Sequence, residues 1–149
     1  MELVLAIPKT PALTTDCVIF DNEGRVLLIK RKNEPFKGSY ALPGGFVDIG
    51  ETVEAACRRE VDEEVGVEVS ELSLVGVYSH PKRDPRGHTV SIAYLALLPR
   101  AVAPRAGSDA AGAAWIDDWR RHALAFDHAA ILSDAERLAS RLKRTAVQA

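Results

Sequence analysis

GGFVDIGETVEAACRREVDEEVGV, from Gly44 to Val67, decides how the rest of the chain is read. It opens on a Pro-Gly-Gly turn at Pro43, Gly44 and Gly45 and closes on Gly66, a residue suited to end a helix in the left-handed conformation. Thr52 has the side chain of an N-cap, and the residues after it are good helix formers without Gly or Pro. The pattern predicts a loop and then one helix of about four turns, from Thr52 to Val65. On that helix Val53, Cys57, Val61 and Val65 repeat at every fourth position and form the ridge that faces a core. Glu60, Glu63 and Glu64 fall within an arc of about 100° beside the ridge.

Those three carboxylates sit where a helix tolerates them least. The macrodipole is negative at its C-terminal end, and no Lys or Arg follows them before the helix stops. They repel one another unless something cationic lies among them. Carboxylate oxygens clustered beside a Gly-rich loop suit a hard octahedral cation, Mg²⁺ or Mn²⁺, of the kind that bridges substrate phosphates. The alternative is a solvated acidic face. The adverse placement and the preceding turn favour the metal.

The same residues resemble the signature of the Nudix hydrolases, G-x5-E-x7-R-E-U-x-E-E-x-G-U with U apolar. Gly45, Glu51, Arg59, Glu60, Val61, Glu63, Glu64, Gly66 and Val67 meet every fixed position of that box, across residues 45–67. Fixed spacing over this many positions makes the motif specific. The family hydrolyses a nucleoside diphosphate linked to another group, with divalent metals held by the box glutamates. The resemblance therefore implies Glu60, Glu63 and Glu64 as metal ligands, with the Gly44 carbonyl beside them. It also implies an ion pair between Glu51 and Arg59 that holds the loop against the helix. The implied architecture is the Nudix fold, an α/β arrangement in which a mixed β-sheet is sandwiched between helices.

The chain has 149 residues, read as one domain over 1–149 and large enough to bury most of its apolar surface. A formal charge of −2 gives no global basic footprint, so no nucleic-acid partner is expected. No apolar run approaches membrane-spanning length, and MELVLAIPKTP lacks the charged start of a signal peptide, so no membrane partner is expected either. Cys17 and Cys57 read as core thiols rather than a bridge. These features point to the cytoplasm. A homodimer through the N-terminal strands is what the family implies.

Outward from the box, Leu3 to Ile7 reads as a short first strand. Thr14–Phe20 and Arg25–Lys30 read as a hairpin about the turn Asp21-Asn22-Glu23-Gly24. A polar loop, Arg31 to Gly38, is aimed at the Gly-Gly turn, with Arg31 a candidate for phosphate and Phe36 or Tyr40 for stacking on a base. After the helix, Val67–Tyr78 and Thr89–Leu98 read as strands joined by a long loop. That loop concentrates Lys82, Arg83 and Arg86 with His80 and His88, a patch suited to a diphosphate. The two histidines have no cysteine company, which argues against zinc. Pro99–Gly112 reads as loop, with Asp109 an acidic residue facing the box helix as a candidate site residue. Trp115-Ile116 starts a last strand, and Asp127 caps a final helix with Ile131, Ala135, Leu138 and Leu142 on one face.

RKNEPFKG, RDPRGHTVS and LAFDH are similar to the ADP-ribose pyrophosphatase branch of the Nudix family, although Tyr40 stands where that branch usually has Trp. The resemblance implies a nucleotide-diphosphate substrate, ADP-ribose first, cleaved to AMP and ribose 5-phosphate. Gly45, Arg31, Phe36, Arg83, Arg86 and Asp109 are the expected substrate-side residues. Nucleoside triphosphates or other sugar nucleotides are the enzymatic alternatives, since the box fixes only the diphosphate chemistry. A non-catalytic sensor of ADP-ribose-type ligands is the alternative of a different class.

Overall fold

Alternation in the first strand sets up a two-faced sheet. In β1 (Ala12–Phe20), Cys17 and Ile19 point to one side and Val18 and Phe20 to the other, and all four are buried. The computed structural model describes residues 6–105, 107 and 110–148. In chain order β1 is followed by β2 (Val26–Arg31), β3 (Tyr40–Ala41), β4 (Gly44–Phe46) and α1 (Val53–Val65). Then come β5 (Ser73–Tyr78), β6 (Thr89–Leu97), β7 (Ala110–Ile116), a 3₁₀ turn (Trp119–Arg121) and α2 (His128–Gln148).

The seven strands form one mixed sheet in the order β3-β2-β1-β6-β5, with β4 paired to β1 and β7 to β2. β1 and β6 run parallel from Ala12↔Thr89 to Phe20↔Leu97; the other pairs are antiparallel. One face buries Cys17, Ile19, Leu27 and Ile29 against Cys57, Val61 and Val65 of α1. The opposite face buries Val18, Phe20, Val26 and Leu28 against Ile131, Leu132 and Ala135 of α2. This is a mixed sheet between helices, the Nudix arrangement expected from the box.

α1 starts and stops where its sequence dictates. Thr52 Oγ1 accepts the Ala55 N–H at 3.1 Å, and Gly66 takes φ 65° with its N–H on the Asp62 carbonyl at 2.9 Å. Backbone from the β6–β7 connection satisfies further terminal carbonyls: Arg105 N–H donates to Val65 O and Gly107 N–H to Glu64 O, both at 2.7 Å.

Several boundaries differ from the expected ones. The first strand was expected at Leu3–Ile7; residues 1–5 lie outside the described residues, and Ile7 is fully exposed coil. β1 and β2 register only at Phe20↔Val26, because β4 takes the same edge of β1 from Thr14 to Asp16. Val67 and Val69 are buried as irregular chain, and the strand after α1 begins only at Ser73. β7 reaches back to Ala110, through Ala-rich sequence expected as loop, because β2 offers it an edge to pair with. Gly44 and Gly45 are strand rather than turn residues. Their lack of a side chain serves close approach: a Cβ on Gly44 would lie 2.1 Å from the Thr15 carbonyl. Among the described residues no helix is long and apolar enough to cross a membrane.

Candidate active site

Arg59 is the hub of the box. Its Nε donates to Glu51 Oε2 at 3.0 Å and its Nη2 to Glu51 Oε1 at 2.6 Å, a forked pair across the loop between β4 and α1. Nη2 also reaches the Phe46 carbonyl at 3.0 Å. Nη1 donates to Glu60 Oε1 at 2.8 Å and to Glu63 Oε2 at 3.2 Å. The cation needed among the helix carboxylates is therefore supplied here by a side chain of the same helix. The guanidinium beside it holds the Glu51 carboxyl below its ordinary range, and the Arg59 pKa is raised in return. Burial raises the Glu60 carboxyl, against the pull of Arg59.

Glu60, Glu63 and Glu64 offer only oxygen donors, as a hard divalent cation requires. Glu60 abuts the β4 backbone so closely that a Cβ on Gly45 would meet its carboxylate carbon at 2.5 Å. Glu64 Oε2 accepts the Gly44 N–H at 3.4 Å, which brings that glycine to the same ridge. The half-buried, charge-disfavoured Glu60 carboxylate fits a cation on both chemistry and placement. Among the described residues no three acidic, His or Cys side chains converge as a ready-made cage, since Glu60 and Glu63 are engaged by Arg59.

A cleft of about 450 Å³ opens between this ridge and the 79–88 loop, with Glu60, Glu64, Gly44 and Gly45 on one wall and Arg31, Arg86 and Phe126 on another. Arg31 Nε donates to the Pro35 carbonyl at 2.6 Å, and no carboxylate among the described residues lies within ion-pair distance of it. Arg86 forks onto buried Asp84 at 3.1 and 2.8 Å but leaves half of its side chain exposed.

Arg83 also lines the cleft, yet its donors are spent on protein. It contacts Asp127 at 2.9 and 2.6 Å and Thr89 Oγ1 at 3.0 Å, and its side chain is 4% exposed. The Asp127 carboxylate thus grips Arg83 where a helix cap was expected. Phe36 lies at the rim, half-exposed, against Phe126 rather than inside the cleft. Tyr40 packs on the α2 face of the sheet and meets His122 edge-on. Asp109 falls outside the described residues.

Asp16 is a cleft residue that the sequence reading did not mark, and Phe126 and His128, within the LAFDH motif, were given no role there. His128, fully buried at the start of α2, accepts the Leu42 N–H on Nδ1 at 3.0 Å. Burial pushes its pKa below 6.5, so the ring is neutral at pH 7 with its proton on Nε2, which faces Asp16 Oδ1 at 3.4 Å. Asp16 Oδ2 accepts from Ser91 Oγ at 2.5 Å. A carboxylate inside the apolar run TTDCVIF was the available signal for this network.

Comparison with known proteins gives a consistent neighbourhood. Residues 10–134 match the NUDIX domain family. The chain is 50% identical over 124 residues to the ADP-ribose pyrophosphatase of Methanocaldococcus jannaschii, covering 83% of this chain and 72% of that protein. It is 34% identical over 146 residues to the ADPR-responsive transcriptional repressor NtrR of Acinetobacter baylyi, covering 93% of this chain and 58% of the repressor. Among solved structures, the NUDIX domain of Shewanella oneidensis NrtR complexed with ADP ribose superposes with a TM-score of 0.81 at 32% identity, covering 87% of this chain and 90% of that one.

Proposed function

The chain belongs to the Nudix family, and from that premise we propose that it is a metal-dependent pyrophosphohydrolase that cleaves ADP-ribose to AMP and ribose 5-phosphate. The observation that carries this reading is the meeting in one cleft of Glu60 and Glu64 of α1 with the guanidiniums of Arg31 and Arg86. The 50% identity to an ADP-ribose pyrophosphatase supports the choice of substrate.

Glu60, Glu63 and Glu64, with the Gly44 carbonyl, are the residues that would hold Mg²⁺ or Mn²⁺. Such an ion, when bound, lowers the pKa of the attacking water and neutralises charge developing on the leaving phosphate. The chain's own residues supply binding and order. Arg31 and Arg86 bind the diphosphate oxygens. Gly45, lacking a side chain, lets the Glu60 carboxylate lie against the β4 backbone at the wall where the substrate would sit. Arg59 and Glu51 fix the 46–51 loop against α1, so that the β4 backbone and the glutamates keep one spacing. Arg83 shapes the wall from behind, through Asp127 and Thr89.

Steady-state kinetics on purified protein with Mg²⁺ and with Mn²⁺ test this. We expect kcat/KM for ADP-ribose to exceed that for ATP or 8-oxo-dGTP by at least about tenfold, ~1.4 kcal/mol of differential transition-state binding. Equal or better turnover of triphosphates overturns the substrate and keeps the reaction class. The similarity to an ADPR-responsive repressor favours one second reading, a ligand sensor. Tight ADP-ribose binding without turnover in either metal would establish the sensor and remove the enzyme.

A further inference from the structure

Among the described residues two non-glycine residues have positive φ, Phe36 at 60° and Phe126 at 52°, and their rings touch at 4.9 Å, edge to face. A bulky side chain rarely occupies that region, and it persists only where the surroundings impose it. At Phe126 they do so from both sides. Ala125 N–H is held by the Tyr40 carbonyl at 2.8 Å. Asp127 is forked by Arg83, and His128 N–H closes a turn onto the Ala125 carbonyl at 3.1 Å. The side chain of His128 is fixed in turn by Leu42 N–H. The backbone strain aims one ring into the cleft.

Around that ring stand two guanidiniums. Arg31 Cζ lies 5.0 Å from the Phe126 centroid and Arg86 Cζ 5.7 Å. Like charges so close repel; the carboxylate of Asp84 is hydrogen-bonded to Arg86 and acts on Arg31 only from a distance. Burial and the neighbouring Arg86 lower the pKa of Arg31, and the more distant carboxylates of Asp84, Glu64 and Glu34 offset this only in part. The electron-rich face of an aromatic ring is one of the few uncharged groups that attracts guanidinium.

We propose that Phe126 is a positioning residue: its ring seats Arg31 and Arg86 side by side so that both present to one anionic group, a phosphate of the diphosphate substrate. Phe36 acts as the outer buttress that keeps the ring from turning towards solvent. The identity of the anion rests on the reading given under Proposed function; the seating of the two arginines does not.

The test compares Phe126→Leu, which keeps apolar bulk without a π-face, with Phe126→Tyr, which keeps the ring. Calorimetric titration in EDTA with inorganic pyrophosphate, and separately with ADP-ribose, reads the anion grip without turnover. We expect F126L to weaken both by about three- to tenfold, the range of one to two partly exposed cation–π contacts, and F126Y to stay within about twofold of wild type. In kinetics the F126L loss should fall mainly on KM, and it should shrink when Arg31 is already Ala, because the two changes remove the same contact. Should F126L not fold, Phe36→Ala on the exposed rim must weaken pyrophosphate binding in the same direction. Wild-type affinity in the folded leucine variant, a Tyr variant as weak as Leu, or full additivity with R31A would each overturn the proposal. So would a wild type that does not bind pyrophosphate. A wild type that binds pyrophosphate but ignores ADP-ribose would instead remove the substrate reading, and the pyrophosphate arm would still decide the role of the ring.

Discussion

Arg59 and Glu51 meet in a two-pronged ion pair, at 2.6 and 3.0 Å, while the same guanidinium holds Glu60 and Glu63 on its other edge. One cation therefore ties the loop to the helix and offsets the carboxylates gathered at the helix's negative pole. Lys cannot reproduce this, because only a planar fork reaches three carboxylates and the Phe46 carbonyl together. Arg59→Lys should lower kcat/KM by about tenfold or more, as expected when catalytic spacing slips. Kinetics of the variant beside its circular dichroism spectrum checks this; full activity would show that the fork does not set the spacing.

Glu51 gives a pH signature to the same pair. Its folded pKa lies below the ordinary 4.5, so its contribution to stability is fully present above that value and is lost as pH falls through the depressed one. Melting temperature followed from pH 6 down to about pH 3 should fall more steeply in wild type than in Glu51→Gln. Parallel curves would mean that the pair contributes nothing to folding.

His128 works in a different window. Burial depresses its pKa, so the unfolded chain takes up a proton near 6.5 while the folded ring stays neutral. Stability should be highest above that value and decline as pH drops below 6.5, until the folded ring also titrates. His128→Asn keeps an acceptor for the Leu42 N–H and lacks the proton site, so its melting temperature should vary less between pH 7 and about pH 5.5. An equally pH-sensitive variant would assign the effect to other groups.

Arg83 and Arg86, both in the cleft, separate by role. Arg83→Ala removes a nearly buried guanidinium from Asp127 and Thr89 and should cost about 2–4 kcal/mol, allowing for a partly exposed partner. That corresponds to a melting temperature lower by roughly 5–15 °C. Arg86→Ala removes a half-exposed side chain but leaves the buried Asp84 carboxylate without its partner. It should lower the melting temperature less than Arg83→Ala does while raising KM for ADP-ribose by about tenfold. Thermal melts and kinetics on both variants decide it, and the reverse pattern would exchange their roles.

Glu64→Gln keeps an oxygen for the Gly44 N–H, so without metal its melting temperature should stay close to wild type. In saturating Mg²⁺ only the wild type should gain the full linkage stabilisation, RT ln(1 + [L]/Kd). Its turnover should fall by about 10²-fold or more if the carboxylate holds the ion. Equal metal-induced shifts in both proteins would exclude Glu64 as a ligand.

The box helix was legible almost to the residue because its signals are local. Thr52 caps it, Gly66 ends it, and the valine ridge needs no knowledge of the partner it packs on. Strand pairing is not local. Nothing in TTDCVIF says that its long partner is β6, in parallel, and nothing in AAGAAWI marks a strand before β2 provides an edge. The three box carboxylates proposed to hold a metal lie on one helix, so their shared arc could be read from spacing. The opposite wall takes Arg31, Arg86, Phe126 and His128 from separate elements. Arg83 looked like a phosphate contact because its charge was visible and the Asp127 facing it, 44 residues away, was not.

The docking of the β6–β7 connection on the end of α1 bears on how this scaffold tolerates exchange of parts. Arg105 and Gly107 finish the helix with their peptide N–H groups, and a Cβ at position 107 would lie 2.2 Å from the Glu63 carbonyl. The segment is thus a splint as well as a linker. Transplanting a relative's longer or shorter connection would change specificity only if the graft kept the Arg105–Gly107 footprint. Insertions are best accommodated at 99–104, upstream of the splint, while a shift of one residue within it would unseat the last turn that carries Glu63 and Glu64.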